Sequence, residues 1–167
     1  QQQKYLIGNT ELITYTNAQG EKLHGILHYP DNYEGGKKYP MIVHVYEMIG
    51  YKYQQYHNPS DYNGTGYNYR NFTAAGYFVL EPDILIQKGN PGVSATDCVI
   101  KAVNKVLEMG FINKDALGIM GQSFGGYETA FIISQTDVFK AAVVGAGVFD
   151  LTTTYHTINR DTGRAEH

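Results

Sequence analysis

Residues 116–127 read Ala116-Leu117-Gly118-Ile119-Met120-Gly121-Gln122-Ser123-Phe124-Gly125-Gly126-Tyr127, and this stretch decides the fold. Ala116 to Met120 has the composition of a short buried strand. Gly125 to Ser134 has that of a helix. A serine flanked by glycines sits at the joint. Downstream, Ala141 to Val144 is a second apolar run, expected as another buried strand. Upstream, Cys98, Val99, Ala102, Val103, Val106 and Leu107 share one helical face. Ser94 is expected as the N-cap of that helix, with Asp97 three residues on in a variant capping box. Pro91 and Gly92 are expected to break the chain before it, and Gly110 to end it. Strand, helix, strand, helix, strand is the pattern of a parallel sheet covered on both faces.

The first half adds strands to that sheet. Glu11 to Thr16 and Leu23 to Tyr29 read as an antiparallel hairpin turned by Asn17 and Gly20. Met41 to Tyr46 is a nearly continuous apolar run, as in a strand buried on both faces. Glu47 to Tyr69 is polar and rich in tyrosine and asparagine, and reads as a long loop. A short helix from Asn71 to Ala75, closed by Gly76, leads into a strand from Tyr77 to Leu80. Eight of the 15 tyrosines fall between Tyr46 and Tyr77, so the bias is local and could line a cleft.

The serine carries the chemistry. A hydroxyl needs a base to remove its proton and donors to hold the oxyanion that forms. Gly-x-Ser-x-Gly between strand and helix is the nucleophile elbow of α/β-hydrolases. Gly121 and Gly125 let backbone pass closely there, Ser123 stands clear, and the Phe124 N–H faces the oxyanion position.

With Gly126-Tyr127 added, and with Phe139-Lys140-Ala141-Ala142-Val143 and Met109-Gly110-Phe111-Ile112-Asn113-Lys114-Asp115 on either side, the sequence resembles the catalytic domain of the prolyl oligopeptidase family. The resemblance implies an α/β-hydrolase-like, mostly parallel sheet with helices on both faces and an N-terminal antiparallel hairpin. It implies a serine peptidase acting through an acyl-enzyme on Ser123. It makes Tyr46, in Val45-Tyr46, the second oxyanion donor, and Val148 and Tyr155, with Phe124, the walls of a small apolar substrate pocket. Glu47-Met48-Ile49-Gly50 stands where the family usually has a Gly-rich stretch. Pro82-Asp83-Ile84-Leu85 replaces an Asp-Gly-Arg-Gly run, so recognition by that run does not carry over.

The order Ser, acid, His is expected in this fold. Asp137, Asp150, Asp161, Glu166, His156 and His167 follow Ser123, but none sits after the strand the family requires, and none is assigned. Residues 1–167 are therefore expected to form part of one hydrolase domain, its C-terminal part missing and the acid and base beyond residue 167. The chain alone is expected to be weak or inactive. An esterase and a non-catalytic binding domain are the alternatives.

The net charge of −3 argues against a nucleic-acid partner, and no apolar run reaches membrane-spanning length. The expected partner is a peptide substrate, with association through open sheet edges possible. No metal spacing, phosphate loop or dinucleotide fingerprint appears, so no cofactor is expected. His44 reads as a satisfied core histidine. The sequons at Asn63 and Asn71 read as coincidence. One cysteine, Cys98, leaves the compartment undecided.

Overall fold

The structure, a computed structural model, describes residues 8–53, 55, 60, 67–158 and 163. Strands β1 (Thr10–Thr16) and β2 (Lys22–His28) form the expected hairpin, with Thr16 opposite Lys22. Gly20 takes φ +82°, and the Asn17 side chain accepts from the Gln19 and Glu21 amides, so both turn residues act as their chemistry suggests.

Next come β3 (Tyr39–His44), a 3-10 turn at Gly50–Lys52, α1 (Tyr69–Ala74) and β4 (Phe78–Pro82). The chain continues through α2 (Pro91–Leu107), β5 (Ile112–Gln122), α3 (Phe124–Gln135), β6 (Ala141–Gly145) and α4 (Leu151–Tyr155). The sheet order is β1-β2-β4-β3-β5-β6. Strands β4, β3, β5 and β6 are parallel, and β2 joins β4 antiparallel.

Alternation along the strands divides the two faces. Met41 and Val43 of β3, Val45 just past it, and Phe78 and Leu80 of β4 point into one core with Cys98, Val99, Ala102, Val103 and Val106 of α2. Each fully buried valine there contributes roughly 1.5–3 kcal/mol by leaving water. The opposite face carries Ile42, His44, Val79 and Glu81, and α1 lies over it. At the amino ends of the parallel strands, Phe78 stacks on Phe111 at 4.8 Å, with Tyr29, Tyr33 and Tyr39 packed around them. The carboxyl ends are left to the site.

Two expectations are corrected. Helix α2 starts at Pro91, not after Ser94, because the fixed φ of proline suits the first helical position and its missing N–H costs nothing there. Ser94 lies inside the first turn. Its hydroxyl bonds the Asn90 and Pro91 carbonyls and accepts from the Gln87 amide. Asp97 instead accepts from the Ala18 amide and ties the hairpin to α2. Strand β6 was expected to be buried, but it is the edge of the described sheet, and Val143 is 61% exposed. An apolar run reports β propensity, and cannot report what covers the strand. Strand β5 also begins four residues earlier than its apolar run, at Ile112.

Candidate active site

Ser123 stands between the end of β5 and the start of α3 with φ +58° and ψ −121°. Its amide donates to the Gly145 carbonyl at 2.9 Å, and its carbonyl accepts from the Gly126 and Tyr127 amides. The backbone is thus held from both sides while the side chain stays exposed. Phe124 is the first residue of α3, so its N–H is one of the donors a helix leaves unpaired at its amino end.

The neighbouring glycines are required by contact. A Cβ on Gly121 would meet the Gly125 carbonyl oxygen at 2.3 Å. One on Gly125 would meet the Val45 carbonyl oxygen at 2.2 Å, and one on Gly126 the Gly145 carbonyl oxygen at 2.4 Å. The same Gly125 position lies 3.3 Å from the Tyr46 ring, which places that tyrosine against the turn.

Ser123 and Tyr46 line one cavity of about 780 Å³. Phe124 stacks on Tyr127 one turn away. Val148 is half-buried and Tyr155 is 57% exposed on α4, and neither lines that cavity. Asp150 caps α4, its carboxylate held below the usual range by bonds from Thr153 and Thr152. His156 packs edge-on against Tyr155. Neither Asp150 nor His156 reaches the cavity. Asp161, Glu166, His167 and the Asn63 sequon lie outside the described residues.

Several features were not legible from the sequence. Among the described residues, the non-glycine residues with positive φ are Glu47 (+41°), Ser123 (+58°) and Ala146 (+45°). Each lies just past the carboxyl end of a parallel strand, β3, β5 or β6. Strained backbone of this kind clusters at functional sites. Asp83, in the segment that departs from the family run, accepts from the Ile49 and Gly50 amides at 2.8 and 2.6 Å. It anchors the loop that follows Tyr46.

The cavity floor is a polar network. Glu81 accepts from His28 Nε2 at 3.0 Å, from His44 Nδ1 at 3.2 Å and from the Tyr67 hydroxyl at 3.1 Å. Burial alone would raise the Glu81 pKa, but the histidine bonds overcome it and hold the carboxyl below its usual range. His28 stacks on Tyr69 and His44 on Tyr67, with ring centroids 3.8 and 3.6 Å apart. His44 is therefore partnered as expected, yet it faces the cavity rather than the core. Among the described residues, no group of three or more His, Cys, Asp or Glu side chains is placed to hold a metal ion.

Residues 83–164 match the prolyl oligopeptidase family. The family match takes in Ser123, Phe124 and the three glycines and begins after Tyr46. An uncharacterized peptidase of Bacillus subtilis is 28% identical over 158 residues, covering 84% of this chain and 22% of its own length. Human dipeptidyl peptidase 8 is 27% identical over 155 residues, covering 83% of this chain and 16% of its own. The chain thus spans about a fifth or less of these relatives. An acylaminoacyl peptidase from Pyrococcus horikoshii superposes with a TM-score of 0.70 at 20% identity, over 92% of this chain and 25% of that one. A puromycin-hydrolyzing peptidase of Mycobacterium tuberculosis gives 0.70 at 21%, over 91% and 24%. The fold is the α/β-hydrolase-like fold of these solved structures. Among the described residues, no helix is long and apolar enough to cross a membrane.

Proposed function

We propose that the protein containing this chain is a serine peptidase that hydrolyses peptide bonds through an acyl-enzyme on Ser123. The observation that carries the reading is the left-handed Ser123 between β5 and α3, packed among glycines and open to the cavity it shares with Tyr46. This supports a nucleophile elbow formed by Gly121 to Gly125. The hydroxyl attacks the scissile carbonyl, and the carbonyl oxygen becomes an oxyanion. The Phe124 N–H and the Tyr46 hydroxyl donate to that oxygen, and the amine leaves as the acyl ester forms.

The acid and base that complete such a reaction belong, on this reading, to the rest of the domain, of which residues 1–167 are one portion. Val148 and Tyr155, with Phe124, are read as an apolar pocket for the residue before the scissile bond. The preferred substrate is a peptide amide rather than a simple ester.

The test is turnover of a proline-containing peptide anilide and of a simple ester by the full-length protein and its Ser123→Ala variant. Amide turnover that falls roughly a thousandfold or more in the variant supports the reading. Ester turnover without amide turnover points to an esterase. Unchanged amide turnover in the variant removes Ser123 from the chemistry.

A further inference from the structure

Strand β3 ends at His44, and Tyr46 stands beyond it. On one side the chain is fixed at Val45, whose amide donates to the Met120 carbonyl at 2.9 Å. On the other side the fixed points come from the segment after β4. The Glu47 carbonyl accepts from the Ile84 amide at 2.9 Å, and Ile49 and Gly50 both donate to Asp83 Oδ1. Tyr46 therefore lies between two clamps. The second one carries strain, because Glu47 takes φ +41°. A left-handed glutamate persists where its surroundings over-determine it, and the bonds from Ile84 and to Asp83 do so.

Asp83 serves as a fixed point because it is itself held. It is 3% exposed. Its amide donates to the His24 carbonyl at 2.8 Å, its carbonyl accepts from the Tyr15 hydroxyl, and its Oδ2 lies 3.4 Å from the His24 amide. These partners belong to β1 and β2, so one side chain ties the hairpin to the segment that bears Tyr46. The fit at the loop is close: a Cβ on Gly50 would meet Asp83 Oδ2 at 2.7 Å. The Tyr46 residue is 41% exposed, which leaves the aim of its ring to the backbone that carries it. An oxyanion donor works by being preorganised, and a misplacement of about 1 Å can cost on the order of a hundredfold in rate.

We propose that Asp83 is a positioning residue for Tyr46, holding the backbone that follows it so that the phenol is kept at the Ser123 cavity. The proposal rests on Tyr46 being the second oxyanion donor, but one arm of its test does not need turnover.

The first arm measures kcat and KM for a proline-containing peptide anilide in the full-length protein. Asp83→Ala should lower kcat roughly tenfold or more and leave KM within about twofold, the pattern of lost transition-state stabilisation. Asp83→Asn keeps an Oδ1 acceptor and should recover most of that loss. In a Tyr46→Phe background, Asp83→Ala should cost under about threefold more, because the two residues act through one hydroxyl. A loss carried undiminished into Tyr46→Phe overturns the proposal, and so does an unchanged kcat in folded Asp83→Ala protein. The second arm is fluorine NMR of 3-fluorotyrosine placed at position 46. Its resonance should shift or broaden in Asp83→Ala and return in Asp83→Asn. Gly50→Ala drives a methyl onto Asp83 Oδ2 and should move kcat and the resonance in the same direction, which decides the case where Asp83→Ala does not fold. A resonance that neither substitution moves overturns the proposal. Tyr46→Phe with unchanged kcat defeats the donor reading instead, and the fluorine signal then decides whether Asp83 holds the ring.

Discussion

Glu128 sits one helical turn beyond Ser123, fully buried, and neither carboxylate oxygen has a hydrogen-bond partner among the described residues. Burial, and then the charge of Glu47, push its carboxyl from 4.5 up to about 8. At neutral pH the folded protein therefore holds the proton, while the unfolded chain releases it. A raised acid pKa gives a definite sign. Stability is complete below pH 4.5, falls as pH rises towards 8, and is level above that. At pH 7, the ionised unfolded state gains about 3 kcal/mol over the folded one. Glu128→Gln has nearly the same shape and no charge at any pH. Other groups titrate alike in both proteins and cancel in the difference. Urea unfolding of the pair between pH 4.5 and 8 should show the variant gaining on the parent by about 3 kcal/mol from pH 4.5 to 7. A difference that stays flat across this range would refute the reasoning, because it would mean the carboxyl is solvated or compensated.

Tyr46→Phe in the full-length protein should lower kcat for a peptide anilide by roughly a hundredfold or more with little change in KM, the cost of one oxyanion donor. A loss under threefold removes the hydroxyl from the reaction. Gly125→Ala forces a methyl against the Val45 carbonyl and should cost about 1–3 kcal/mol in urea unfolding. A neutral result would mean that the turn is not held against β3. Asp83→Ala leaves the Ile49 and Gly50 amides without their acceptor, and should cost about 2–3 kcal/mol in thermal unfolding. Unchanged stability would mean that this anchor is replaced by water.

The parts legible in the sequence are those set by neighbours in the chain. The Ser123 turn needs its own glycines, the hairpin its own Asn17 and Gly20, and the buried face of α2 its own period. Residues that meet through the sheet left no local mark. His28, His44 and Glu81 come from β2, β3 and β4, and only the order β2-β4-β3 brings them together. Glu81 falls just past the strand expected from Tyr77 to Leu80, and His44 reads as a satisfied core histidine. The left-handed Glu47 and Ala146 carry no glycine to announce them. Pro91 reads as a break in the sequence because proline ends helices and also begins them. The exposure of β6 depends on its place at the edge, which its own residues do not encode.

Ser123 is the residue on which the proposed chemistry depends. Treating the full-length protein with a fluorophosphonate and mapping the adduct by peptide mass spectrometry tests it most directly. The added mass is expected on the peptide holding Ser123 and is lost in Ser123→Ala. An adduct on another residue, or an unmodified Ser123 in protein that hydrolyses peptide substrate, would contradict it.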